Sequence, residues 1–302
     1  MRAFFTPGTM PSFHSGNLNI HYEQWGSRAD PPLVLIHGLG CQIIHWPQPF
    51  IDALTDGGLR VIAPDNRDMG LSDRVDAPAP DLLEVLNDPA AHPCPYTLSD
   101  MAQDMVNLLN HLGQAGAHIV GLSMGGMIAQ TLAIEHPERC FSLTSIMSSS
   151  GNPDLPDGDD EVRMKFVAPL PTNREAAVAQ YEQAWQAAGG PHFDSRRVGL
   201  ARFSAQAIER GFPRDGFVRQ LLAIVHQEDR RAALAKLQVP GLVIHGSADP
   251  LVPPAAGEDT ANALAHGTLA VLDKLGHDLP DPMLAEIAGH IIEHVRTVHA
   301  TR

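Results

Sequence analysis

Long apolar runs are missing from this 302-residue chain: none approaches the roughly 18 residues that a membrane span needs. Its first sixteen residues, "MRAFFTPGTMPSFHSG", contain no apolar core of the kind a secretory signal carries. Cysteine is scarce. Cys41, Cys94 and Cys140 are odd in number and far apart, which suggests neither a disulfide framework nor a zinc ribbon. Clustered Lys and Arg are also absent, and a net charge of −14 disfavours a nucleic-acid partner, since neutralising phosphates takes local positive charge. No internal repeat occurs at solenoid periods. "DLPDGDDE" is acidic, but it lacks the ordered ligand spacing of an EF-hand loop. The default expectation is a soluble, cytoplasmic protein of a reducing compartment, with oligomers possible.

What remains is a chain that is 44% hydrophobic and long enough to bury a large core. Short apolar or β-branched runs recur at 18–25, 32–38, 60–66, 117–123, 142–148, 241–247 and 268–273. Several are apolar almost throughout, as strands buried on both faces of a parallel sheet are. Helical patterns lie between them. In "LSDMAQDMVNLLNHLG", Leu98, Met101, Met105, Leu108, Leu109 and Leu112 share one stripe, and Gly113 can end the helix. "GGMIAQTLAIEHP" reads as a helix stopped before Pro137, and "DPMLAEIAGHIIEHVRTV" as another amphipathic helix. The alternation predicts an α/β fold: a mainly parallel open sheet with helices on both faces. It breaks between 151 and 237, where helical windows such as "REAAVAQYEQAWQAA" occur without a convincing buried strand. The expected organisation is therefore a core of 1–150 and 238–302 with a helical cap inserted at 151–237.

Gly121-Leu122-Ser123-Met124-Gly125 follows a strand and opens a helix, the context that gives G-x-S-x-G its meaning. Glycines two before and two after the serine clear space around a strained turn, so that the hydroxyl stands exposed above the sheet. A serine hydroxyl needs a base, and the base needs an orienting acid. Downstream, Asp249 falls in the turn of "GLVIHGSADPLVPP" and His277 in the loop of "TLAVLDKLGHDLPDP". Both lie just past strand ends, where open α/β sheets bind ligands, and the order Ser, acid, His fits this architecture. Asp154, after "SLTSIMS", is the main rival acid; Asp273 and Asp278 are weaker ones. Among other histidines, His245 fits a core position and His266 a solvated one. "LVLIHGLGCQ" supplies a glycine-rich turn after a buried strand, so the Leu39 N–H can serve as an oxyanion donor together with the N–H of Met124. His37 is expected to anchor that loop by hydrogen bonds.

With strand-"HGLG", "GLSMGG", "GSADPLVP" and "LGHD" in this order, residues 15–297 resemble the α/β-hydrolase fold superfamily, of the serine esterase type with a helical cap. The resemblance implies Ser123 as nucleophile, Asp249 as acid, His277 as base, Leu39 and Met124 as oxyanion donors, and no cofactor or metal. "RVIAPDNRDMGLSDR" resembles a segment that reads Asp-x-Arg-Gly-x-Gly-x-Ser in many members, with Asp68 in place of its first glycine. That variant is similar to the aclacinomycin methylesterase-like branch. A serine in the elbow disfavours haloalkane dehalogenase and epoxide hydrolase chemistry, which uses aspartate there. The expected activity is cleavage of a small, apolar carboxylic ester through an acyl-enzyme. Carbon–carbon bond hydrolases, perhydrolases and ligand-sensing receptors of this fold share the same residues and remain alternatives. Cys41, Trp46, Met164, Phe166, Trp185 and Phe203 are the expected substrate-pocket residues.

Overall fold

The structure, a computed structural model, describes residues 11–193 and 200–300. Eight strands form one sheet: β1 (Ser12–Ser15), β2 (Leu18–Trp25), β3 (Pro32–Ile36), β4 (Arg60–Pro64), β5 (Ala117–Leu122), β6 (Cys140–Ile146), β7 (Gly241–Gly246) and β8 (Gly267–Leu272). Their order is β1-β2-β4-β3-β5-β6-β7-β8. The β1–β2 and β2–β4 pairs are antiparallel and all others parallel. β1 has no counterpart among the runs read from the sequence. "SFHS" is too short and polar to announce a strand, and its extended form comes from pairing with β2.

Four helices precede β6: α1 (Gln48–Asp56), α2 (Leu82–Asn87), α3 (Leu98–His111) and α4 (Met124–Glu135). Between β6 and β7 lie α5 (Asp160–Val167), α6 (Arg174–Ala188), α7 (Leu200–Gly211), α8 (Arg214–Val225) and α9 (Arg231–Leu234), with no strand among the described residues. α10 (Pro254–Ala263) and α11 (Leu284–Ala300) complete the chain. Among the described residues no helix is long and apolar enough to cross a membrane.

The alternation of β3 explains its unbroken apolarity. Val34 and Ile36 pack on one face with Met101, Met105 and Leu108 of α3 and Ile128 and Leu132 of α4. Leu33 and Leu35 point to the other face, against Phe50 and Leu54 of α1 and Ile287 and Ile291 of α11. Each such side chain, fully buried, contributes about 1.5–3 kcal/mol through removal from water. Thr97 caps α3 through the Asp100 N–H, and its left-handed successor Gly113 (φ +65) stops the helix as expected.

Apart from β2, which matches its run, the strands end one or two residues before the runs predicted from sequence. His37, Asp65, Ser123, Met147 and Ser247 have left the ladder, and the polar chemistry gathers at these ends. The inserted helices are tied to the sheet by buried charge as well as by apolar contact. Phe217, Val218, Leu221 and Leu222 of α8 pack with Met69, Leu82 and Val85. Beside them Asp68, fully buried at φ 72, accepts from Arg219 Nε (2.9 Å) and Nη2 (2.7 Å), from Tyr96 Oη (2.7 Å) and from the Val75 N–H (2.9 Å). The aspartate in the usual glycine position is thus the core's half of a tie to α8. Asp65 likewise pairs with Arg210 of α7 at 2.7 Å.

Candidate active site

Ser123 joins β5 to α4 at φ 56, ψ −123, a conformation that L-residues avoid without support. The support is visible. Its N–H bonds the Ile146 carbonyl (2.9 Å), and its own carbonyl accepts from Gly126 N–H (2.8 Å) and from Ser148 Oγ (2.7 Å). A side chain at Gly121 would collide with the Gly125 carbonyl, and one at Gly125 with the Ile36 carbonyl. At Gly126 a Cβ would meet Ser148 Cβ at 2.5 Å. These three glycines are spacers for a rigid turn.

His277 and Asp249 meet: Nδ1 lies 2.7 Å from Oδ2, with both side chains buried. The other carboxylate oxygen accepts the Leu251 and Val252 N–H groups, each at 2.9 Å, which fixes the orientation of the carboxylate. A proton on Nδ1 facing the carboxylate leaves Nε2 with its lone pair, the form a general base needs. The backbone N–H of His277 bonds the Ala188 carbonyl at the end of α6 (2.8 Å), so an inserted helix helps hold this loop. Asp154 is exposed, Asp273 is solvent-facing beside Lys274, and neither contacts His277. His245 is fully buried. Its Nε2–H donates to the Val252 carbonyl (2.9 Å), and Asp249 Oδ2 lies 3.5 Å away, so it backs the acid as well as filling core. His266 is exposed and hydrogen-bonded to Gln238, as expected.

The loop after β3 closes through the Cys41 N–H to the Gly38 carbonyl (3.2 Å), with Gly40 at φ +69. It runs beside the elbow: a Cβ on Gly38 would lie 3.1 Å from Ser123 Cβ. Among the described residues, neither the Leu39 N–H nor the Met124 N–H has a hydrogen-bond acceptor. The Met124 N–H also belongs to the first turn of α4, where the helix dipole favours negative charge.

Residues 31–281 match the alpha/beta hydrolase fold family. The chain belongs to the α/β-hydrolase fold family. A rhodomycin D methylesterase, DauP, from Streptomyces sp. (strain C5) is 31% identical, over 89% of this chain and 93% of its own. Another, DnrP, from Streptomyces peucetius is 30% identical with the same coverage. These relatives agree with the aclacinomycin methylesterase-like resemblance carried by Asp68. Among solved structures, a meta-cleavage product hydrolase from Pseudomonas fluorescens IP01 superposes with a TM-score of 0.75 at 20% identity, covering 95% of this chain and 97% of that one. A thermophilic esterase from Thermogutta terrifontis gives 0.72 at 22%, covering 97% and 100%. At these identities the two structures speak for the fold alone.

In this α/β hydrolase a cavity of about 210 Å³ opens over His277 and Leu122, lined by Cys41, Trp46, Trp185, Phe203 and further apolar side chains. Four of the expected pocket residues are thus there. Phe166 instead lines a neighbouring small cavity, with its ring edge-on to Trp185 at 5.5 Å. Met164 is a correction: it is 49% exposed and lines neither cavity, because it faces outward from the short helix α5. Sequence reasoning passed over His45, which lines the cavity between Trp185 (5.4 Å) and Phe203 (4.8 Å), its Nε2 2.7 Å from Tyr181 Oη of α6. Sixteen histidines hid it, and nothing local distinguishes it.

Burial, aided by repulsion from His45 and Arg210, pushes the His37 pKa well below its ordinary value; burial and Arg210 push His45 down to about 3. Both rings are therefore neutral at pH 7, and of the three histidines on the cavity His277 alone faces a carboxylate at hydrogen-bond distance. The bond that ties His37 into its loop is made by its carbonyl, which accepts from Asn66 Nδ2 (3.1 Å); its ring lies on Trp46 at 4.7 Å, and among the described residues its Nε2 has no partner. Burial and the nearby negative charge of Asp278 raise the Cys41 thiol, so it stays protonated and unreactive.

Proposed function

We propose that this α/β hydrolase cleaves carboxylic esters through an acyl-enzyme on Ser123. His277 Nε2 takes the Oγ proton as the hydroxyl attacks the carbonyl carbon, and the tetrahedral oxyanion sits between the N–H groups of Leu39 and Met124. Collapse breaks the carbon–oxygen bond, and the proton on His277 passes to the leaving alcohol. Water then attacks the acyl carbonyl, with His277 again accepting the proton, and releases the acid and free Ser123. Asp249 holds the imidazole tautomer and stabilises the imidazolium. Helices α5–α8, within the expected 151–237 insertion, act as a cap that shields the reaction from water.

The observation that carries this reading is the 2.7 Å contact between His277 and Asp249, on a cavity that begins beside a strained serine elbow. The names of the relatives support a substrate class for it. Two are named as methylesterases, and a 26%-identical relative from Aeromonas hydrophila is named a pimeloyl-[acyl-carrier protein] methyl ester esterase. We accordingly assign methyl or other small-alcohol esters of larger, apolar acids, with the aromatic cavity receiving the acid portion. Ser123→Ala is expected to abolish turnover of p-nitrophenyl and methyl esters while the circular dichroism spectrum and melting temperature stay close to wild type. Near-normal turnover by a folded S123A protein would sink the proposal.

A further inference from the structure

We infer that Gln220, on helix α8, is a positioning residue for the oxyanion loop, and that it makes the donor geometry depend on the docked cap. This rests on Leu39 acting as an oxyanion donor. Gln220 is fully buried. Its Oε1 accepts the Gly40 N–H at 2.9 Å, and its Nε2 donates to the Arg67 carbonyl at 2.8 Å. Both ends of one amide are thereby used, one on each of two core loops.

The Leu39 N–H lies between two fixed points. On one side Gly38 packs against Ser123, and the carbonyl of its neighbour His37 accepts from Asn66 Nδ2 (3.1 Å). On the other side the peptide joining Leu39 to Gly40 is held by Gln220. Gly40 is left-handed (φ +69), and a glycine peptide rotates readily when nothing grips its N–H. A side chain cannot replace Gln220 as the brake, because a Cβ on Gly40 would lie 2.8 Å from the Phe217 ring. The next residues repeat the arrangement. Gln42, also fully buried, donates through Nε2 to the Ala207 (2.8 Å) and Gly211 (3.0 Å) carbonyls of α7 and accepts from Arg210 Nη1 (3.2 Å). The loop is thus spliced to α7 and α8, and Gln220 is the splice nearest the donor.

Oxyanion donors act only when aimed at the developing charge; removing one lowers kcat roughly 10²–10³-fold. Losing the grip on Gly40 misaims a donor without deleting it, so Gln220→Met is expected to lower kcat roughly 10- to 100-fold with KM within about twofold. Inactivation by a p-nitrophenyl alkylphosphonate, whose phosphoryl oxygen uses the same donors, is expected to slow by the same factor. Gln220→Glu is expected to recover most of both rates. Burial keeps its carboxyl protonated, so it can still accept from Gly40 and donate to Arg67. Should Q220M fail to fold, Gln220→Asn keeps a buried amide one methylene short of Gly40 and is expected to show the same kcat loss. Wild-type kcat in the folded variants, a loss confined to KM, or a Q220E protein as impaired as Q220M would overturn the inference. An inactive S123A protein beside a fully active Q220M protein removes this inference alone; an active S123A protein removes the mechanism on which it rests.

Discussion

Replacing Asp249 by Asn tests the proposed relay with almost no change of shape. Oδ1 accepts two backbone N–H groups at 2.9 Å, so the amide oxygen of Asn is held at that position and the NH₂ group is forced toward His277. An NH₂ group only donates, so His277 Nδ1, 2.7 Å from the replaced atom, must then accept. The ring proton moves to Nε2, and the lone pair that would take the Ser123 proton is gone. In serine hydrolases that wrong tautomer costs roughly 10⁴ in kcat. At about 1.4 kcal/mol per tenfold, this is about 5.5 kcal/mol of transition-state stabilisation. Folding is expected to be little affected, because the two backbone donors keep their acceptor. The assay is kcat on a p-nitrophenyl ester beside the urea unfolding midpoint, with Asp154→Asn as a control expected to behave as wild type. A D249N protein within about tenfold of wild-type kcat, or a D154N protein that loses activity, would refute the reasoning.

Arg219→Met is expected to destabilise the fold by about 3–5 kcal/mol, because it strands the buried Asp68 carboxylate with Tyr96 and Val75 as remaining donors; denaturant unfolding at neutral pH measures it. His45 predicts an acid-sensitive fold. Its pKa falls from 6.5 to about 3, so the unfolded chain binds the proton more tightly, and the stability present above pH 6.5 declines as pH drops toward 3. The slope is at most about 1.4 kcal/mol per pH unit for one group. Comparing unfolding free energies at pH 7.5 and 5 for wild type and His45→Gln checks this, the variant being expected to lose less on acidification.

The sheet, its two helical faces and the elbow were legible because each has a local signature. Strands buried on both faces must be apolar throughout, α3 must show a stripe, and a turn as tight as that at Ser123 must carry glycine at 121 and 125. Asp249 and His277 were legible by order and by their place past strand ends, although 28 residues separate them and no periodicity links them. β1 was not legible, since pairing rather than its own residues makes it a strand.

The sequence by itself determined the architecture and the serine, acid and histidine candidates, since covalent order and local sterics leave few other ways to place them. Only the tertiary structure decided the partners: Asp249 rather than Asp154 against His277, Asp68 against Arg219, Gln220 against Gly40, His45 against Tyr181. The first pair joins the loops after β7 and β8; the other three span up to 180 residues and are set by how α6 and α8 dock on the strand ends. Desolvation at the cavity follows from the same docking. It keeps His37 and His45 neutral, while His277 is the cavity histidine that faces a carboxylate at hydrogen-bond distance.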